Sequence, residues 1–183
     1  MRPDYPVITM LGDSITGRAD AVGGGGVGWN ELLKGLPFRF HNAGIDGNLA
    51  TDVLARLDRD VRGERTILMV GINDLSLGMP IPGILSTVRE IINRHRERKA
   101  WIALQTTLPT AWEDLNILVQ ELNNAYRALC RTEHVPLIDS HRAFMKEGEP
   151  RTEFLPDGVH LNGAGYRHWA AFLRDQIIRS LPA

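Results

Sequence analysis

Two short stretches far apart in the chain hold the residue types that acyl transfer needs: Gly12-Asp13-Ser14-Ile15 and Asp157-Gly158-Val159-His160. A serine hydroxyl becomes a nucleophile when a base takes its proton, an acid orients that base, and donors await the oxyanion. Ser14 follows an apolar run that stops at Gly12 and Asp13. Its hydroxyl is thereby expected at the carboxyl edge of a sheet, where open α/β sheets bind their ligands. Asp157 and His160 stand three apart. Within one turn the carboxylate and the imidazole can meet edge to edge, with the other ring nitrogen aimed outward. Each stretch also has a plainer reading. A serine after a strand often only caps a helix, and an isolated D-x-x-H is more often a capped turn beside a packed histidine.

Two further stretches carry donors. In Asn42-Ala43-Gly44-Ile45-Asp46-Gly47-Asn48 the glycines let the backbone approach a ligand closely with an N–H exposed. In Val70-Gly71-Ile72-Asn73-Asp74 the Asn73 amide can donate. Separately these are ordinary strand-to-helix turns. With Ser14 they supply three donors of the kind an oxyanion hole requires: the Ser14 N–H, the Gly47 N–H and the Asn73 side chain.

Such residues must be carried by strand ends, and the chain has them. Short runs apolar on both faces predict buried parallel strands at Val7–Leu11, Phe38–His41, Thr66–Val70, Trp101–Thr106 and Val135–Ile138. Helical patterns lie between them, near Trp29–Lys34, Thr51–Arg62, Pro82–Arg98 and Leu115–Thr132, with a last helix from about Gly163 to Leu181. Ile84, Leu85, Val88, Ile91, Ile92 and His95 share one face of the third helix; Tyr166, Trp169, Ala170, Leu173, Ile177 and Ile178 share one face of the last. The alternation predicts a single α/β domain over residues 1–183, a three-layer α/β/α sandwich around a five-stranded parallel sheet.

Bulk properties remove several function classes. A net charge of −1 gives no electrostatic reason to expect a nucleic acid or an anionic membrane as partner. No apolar stretch is long enough for a signal peptide or a transmembrane helix, so the expected location is cytoplasmic. The single cysteine, Cys130, excludes an internal disulfide and a cysteine metal cluster, and its helical context makes it a small buried hydrophobe. Gly23-Gly24-Gly25-Gly26-Val27-Gly28 has the spacing G-x-G-x-x-G, but a polar loop, Thr16 to Asp20, precedes it where a dinucleotide fingerprint needs a strand. The expectation is a glycine loop bordering Ser14, a flap over the site.

The four blocks, Gly12-Asp13-Ser14-Ile15, Asn42 to Gly47, Gly71-Ile72-Asn73-Asp74 and Asp157-Gly158-Val159-His160, stand in the order and places of those of the SGNH (GDSL-type) hydrolases. The sequence resembles that family from about residue 7 to 180. The resemblance implies a cofactor-free, metal-free serine esterase with Ser14 as nucleophile, His160 as base and Asp157 as its orienting acid. Its oxyanion donors fall on the Ser14 and Gly47 amides and on Asn73. Gly47 is preferred to Gly44 because the family's glycine lies five residues after the asparagine matching Asn42. The resemblance also implies a flavodoxin-like sheet, with the second strand at the edge beside the first. Ile15 and Asn48 depart from the commonest family residues, leucine and aspartate, without touching the reaction.

The expected substrate is a small-molecule ester, a short acyl ester of a sugar or small alcohol, with thioesters and lysophospholipids as alternatives on the same triad. Leu75, Leu77, Met79, Leu108, Pro109 and Trp112 follow strand ends on two loops and are the candidates to line an acyl site, or else to cover the core. Asp13 and Asp74 read as local scaffolding. His41, His95, His134, His141 and His168 show no metal-ligand spacing. Two rival classes remain on the sequence. In a metal phosphoesterase, Asp13, Asn42, Asn73, Asp74, Asp157 and His160 would be ligands; in a binding module, the hydrolase scaffold would be inactive.

Overall fold

The computed structural model describes residues 5–20 and 28–180. Five strands, β1 (Val7–Gly12), β2 (Arg39–Gly44), β3 (Arg65–Met69), β4 (Trp101–Gln105) and β5 (Leu137–Ile138), form one sheet in the order β2-β1-β3-β4-β5. All four pairings are parallel. The central strands are buried on both faces: Met10, Leu11, Ile67, Leu68, Ala103 and Leu104 are fully enclosed. A strand covered on both sides has no use for a polar alternation, which is why these runs read as continuously apolar.

The helices are α1 (Ser14–Gly17), α2 (Gly28–Leu32), α3 (Ala50–Ala55), α4 (Leu57–Asp60), α5 (Ile72–Ser76), α6 (Ile81–Glu97), α7 (Glu113–Glu133), α8 (Ser140–Ala143) and α9 (Gly163–Ser180). They gather in two groups, α3 with α6 and α6 with α7, and α2 and α8 with α9. This gives the flanked sheet of an α/β sandwich. In the second group Trp29 stands edge-on to Trp169 at 5.0 Å and to Tyr166 at 6.3 Å. Between α8 and α9 lie a two-stranded hairpin, β6 (Met145–Lys146) and β7 (Glu149–Pro150), and a 3₁₀ turn at Thr152–Phe154.

Several boundaries differ from the sequence expectations, each for a local reason. The strand expected at Val135–Ile138 shortens to Leu137–Ile138. Val135 spends its N–H on the Cys130 carbonyl, and Pro136 has none to give. The helix expected across Thr51–Arg62 breaks into α3 and α4 at Arg56, whose backbone (φ −105°, ψ 6°) departs from helical values. The stretch from Thr16 to Asp20, expected as a loop, is helical: α1 runs into a 3₁₀ turn at Arg18–Asp20. The glycine stretch proposed as a flap lies outside the described residues, except that Gly28 opens α2.

The register places the site. Gly12 of β1 pairs with Gly44 of β2 on one side and with Met69 of β3 on the other. The three strands therefore end level. The chain passes from β1 outward to β2 and then back across to β3, so β1 is the point where the sheet order reverses. In open α/β sheets, ligands bind in the crevice outside the strand ends at such a switch point. Ser14 follows it directly.

Candidate active site

Ser14 is the first residue of α1, and Asp13 caps that helix: its Oδ1 accepts the Ile15 N–H at 2.9 Å. The turn is closed further by the Gly17 N–H, which donates to the Asp13 carbonyl at 2.9 Å. The Asp13 side chain is wholly buried, and its Oδ2 has no partner among the described residues. Burial pushes its carboxyl up to about 7, with the nearby Asp74 adding to the rise and the Ile15 N–H opposing it. Asp13 is a scaffold residue in geometry, its carboxyl held well above the usual carboxylate range beside the serine.

Asp157 and His160 meet across the turn their spacing allows. The Asp157 Oδ2 lies 2.7 Å from His160 Nδ1, while its Oδ1 accepts the Val159 and His160 N–H groups at 3.0 and 2.8 Å. Burial alone would raise this carboxyl, but the His160 N–H, the His160 ring and the Val159 N–H outweigh it and hold it at about 2. With a carboxylate at Nδ1, the ring's hydrogen belongs on that nitrogen, leaving Nε2 as an acceptor. Nε2 lies 2.9 Å from the Ser14 Oγ. The turn is buttressed by the Ala111 N–H, which donates to the Gly158 carbonyl at 2.8 Å, and by the Trp112 ring, which lies against Gly158.

The candidate oxyanion donors sort out by what each N–H already does. Gly44 spends its N–H on the Asn42 Oδ1 at 3.0 Å, and a Cβ there would lie 2.1 Å from the Gly17 nitrogen. Gly44 is therefore a close-packing position. Gly47 is the reverse case: it is exposed, with φ +75° and open space where a Cβ would stand. Asn73, in the first turn of α5, donates from Nδ2 to the Asn48 carbonyl at 3.0 Å. Of its two amide hydrogens, one is fixed on the loop that holds Gly47 and the second is left for another acceptor. Asp74 ties the same loop down by accepting the Ala50 N–H.

The proposed lining residues divide. Leu75 and Leu108 are 4% and 1% exposed and belong to the core, so neither offers a surface to a substrate. Leu75, on α5, and Leu108 pack into the hydrophobic core instead. Leu77 is 70% exposed and Trp112 51%, with Met79 also exposed. Pro109 lines a groove of about 910 Å³ with Ala111, Ile117, His141, Met145 and Pro150; Ser14 and His160 are not among its walls. Cys130 is buried, and burial raises its thiol to about 11. His95 is a satisfied core residue: Nδ1 faces the Ile91 carbonyl at 2.8 Å and Nε2 the Thr66 hydroxyl at 2.9 Å. Among the described residues, no group of three or more His, Cys, Asp and Glu side chains is placed to hold a metal. The six side chains considered as ligands are engaged in the bonds just described, with Asn42 donating to the Gly17 carbonyl at 2.9 Å.

A family model, the GDSL-like lipase/acylhydrolase family, matches residues 10–168. The chain belongs to that family. Among solved structures, this GDSL-like acylhydrolase is similar to a lipase/acylhydrolase from Enterococcus faecalis, with a TM-score of 0.80 and 23% identity over 98% of this chain and 99% of that one. It is also similar to an acetylxylan esterase from Geobacillus stearothermophilus, with a TM-score of 0.76 and 22% identity over 96% of this chain and 93% of that one. A curated relative, an N-acylneuraminate cytidylyltransferase from Streptococcus agalactiae, is 24% identical over 125 residues, 66% of this chain and 30% of its own length. The acylhydrolase thus spans under a third of that relative. No helix among its described residues is long and apolar enough to cross a membrane.

Two residues of this acylhydrolase's site went unnoticed in the sequence. Arg56, within the segment expected as the helix Thr51–Arg62, was not singled out, yet its guanidinium donates to the Gly12 and Ala43 carbonyls at the strand ends. Tyr166 reads as a core aromatic, and its hydroxyl gave no signal of a partner.

Proposed function

We propose that this acylhydrolase is a serine esterase that hydrolyses short acyl esters of sugars or small alcohols through an acyl-Ser14 intermediate. The observation that carries the reading is the relay from the Asp157 Oδ2 through the His160 ring to the Ser14 Oγ, with steps of 2.7 and 2.9 Å. As the Ser14 Oγ bonds to the ester carbonyl carbon, His160 Nε2 takes the hydroxyl proton, and Asp157 stabilises the imidazolium that forms. The carbonyl π pair moves onto oxygen, and the Ser14 and Gly47 N–H groups and the Asn73 amide receive the oxyanion. Collapse breaks the bond to the alcohol oxygen, which leaves with the proton from His160. Water then attacks the acyl carbon as His160 takes one of its protons; collapse breaks the acyl–Oγ bond, His160 returns that proton to the Ser14 Oγ, and the acid leaves with the serine and the neutral imidazole restored.

The short acyl preference is supported by the burial of Leu75 and Leu108, which keeps these two apolar side chains from offering a surface to a long acyl chain. The exposed Trp112 ring beside Gly158, on the turn that carries His160, offers an aromatic surface of the kind a sugar face stacks on. An acetylxylan esterase among the similar structures points the same way. The test is labelling with a fluorophosphonate, followed by turnover of 4-nitrophenyl acetate, butyrate and decanoate and of an acetylated sugar. Labelling of wild type but not of Ser14→Ala, with acetate turned over fastest, is the expected result. An unlabelled, inactive wild type removes the serine mechanism, and a decanoate preference removes the short-chain reading.

A further inference from the structure

Arg56 is buried to 7% side-chain exposure in a chain whose other site residues are uncharged or acidic. Enclosing a guanidinium is costly unless its donors are met. Here they are met, and nearly all at the site. Nη2 donates to the Gly12 carbonyl at 2.8 Å, Nη1 to the Ala43 carbonyl at 2.9 Å and to the Asp60 Oδ2 at 2.8 Å, and Nε to the Asn48 Oδ1 at 2.6 Å. Gly12 ends β1 two residues before Ser14. Ala43 is near the end of β2. Asn48 follows Gly47, and its own main-chain carbonyl accepts from Asn73. The guanidinium fork thus joins the β1 end that leads to Ser14 with the β2–Gly47 stretch, and reaches Asn73 one step further through Asn48. The Gly12 carbonyl also accepts the Ile45 N–H at 3.1 Å, so the same atom anchors the other end of the Gly47 loop.

The backbone gives way to this arrangement. Arg56 is where the helical run splits into α3 and α4. An apolar side chain at that position could pack against the core; what it would not supply is the donors to the two strand-end carbonyls and to the Asn48 side chain.

We propose that Arg56 is a positioning residue for the oxyanion hole, holding the Ser14 turn, the Gly47 loop and, through Asn48, the Asn73 amide at fixed mutual spacing. The inference rests on the serine-esterase reading of the site. Arg56 touches no substrate. It acts by fixing the donors, which must meet an oxyanion to within a fraction of an ångström.

The experiment uses Arg56→Lys, Asn48→Ala, Asn48→Asp and the double variant Asn48→Ala/Asn73→Ala, with 4-nitrophenyl acetate as substrate. Lysine keeps the charge but loses the planar fork. Asn48→Ala removes one acceptor without changing any charge, so it reports even if Arg56→Lys does not fold. Asn48→Ala is expected to lower kcat between about 10- and 100-fold with KM within about twofold. Asn48→Asp, whose carboxylate oxygen accepts from the same Nε, is expected to recover most of that loss. Because part of the effect runs through Asn73 and part through the adjacent Gly47, the double variant, measured beside Asn73→Ala alone, should lose less than the product of the two single losses. Folded Arg56→Lys and Asn48→Ala proteins with wild-type kcat overturn the proposal, as does a loss that appears in KM alone or that multiplies fully with Asn73→Ala. A wild type that neither labels with a fluorophosphonate nor turns over an ester would instead remove the underlying reading, and the role of Arg56 with it.

Discussion

The Tyr166 hydroxyl donates to the Ile15 carbonyl at 2.7 Å. One bond thus ties α9, which begins three residues after His160, to the short helix that begins at Ser14. Tyr166→Phe keeps the ring packing and withdraws that donor from a buried carbonyl, which costs about 1–3 kcal/mol. At about 2–4 °C per kcal/mol for a domain of this size, thermal denaturation should register the change clearly. An unaltered melting temperature would mean that packing alone holds the two helices together.

Asn73 should matter for the transition state more than for binding. Charge on the carbonyl oxygen develops only as Ser14 attacks, so Asn73→Ala is expected to cost about 10²–10³ in kcat with KM little changed. Asn73→Asp should be at least as poor, since a carboxylate repels the oxyanion. Steady-state kinetics on an acetyl ester, with circular dichroism as the folding control, decides the matter. A rise in KM alone would make Asn73 a substrate-binding residue.

The two glycines of the second block should respond oppositely to alanine. A Cβ on Gly44 would lie 2.1 Å from the Gly17 nitrogen and 2.7 Å from the Asp13 carbonyl oxygen, so Gly44→Ala should not accumulate as folded protein. Gly47→Ala meets no atom within 4 Å and bears only the cost of its φ of +75°, about 1–2 kcal/mol. It should fold. Soluble expression followed by urea unfolding of both variants would expose a reversal.

Asp13 makes stability fall as pH rises. Its carboxyl is raised by burial to about 7 in the folded protein, against about 3.9 for a free aspartate. Between those values the folded chain holds a proton that the unfolded chain has released. The contribution is therefore fully present below about pH 4 and is lost as pH climbs through about 7. Asp13→Asn keeps an acceptor for the Ile15 N–H and has no proton to lose. Urea midpoints at pH 5 and pH 8 should fall for wild type by more than for the variant; parallel changes in the two proteins would place the titration elsewhere.

Much of this molecule was legible because its signals are local. The apolar runs that became β1, β3 and β4 are short, enclosed on both faces and bounded by turn residues, so their type could be read directly. The contact between Asp157 and His160 follows from a spacing of three within one turn. The sheet order and the meeting of Ser14 with His160 depend on pairing across long separations, and here only the likeness of the four blocks to a known family supplied them. Arg56 was hidden because no pattern marks an arginine that turns inward to meet carbonyls. Leu75 and Leu108 misled for the opposite reason: an apolar residue on a strand-end loop looks the same whether it faces a substrate or the core.

The separation of 146 residues between Ser14 and His160 has a kinetic consequence. Loop closure over that distance comes late in folding, after the local helices and the β1–β2 ladder can form. A refolding chain should regain its helical signal first and its reactivity toward a fluorophosphonate last. Labelling would then serve as a clock for completion of the whole tertiary structure, and a partly synthesised chain lacking residues 157–160 would remain inert toward every ester in the cell.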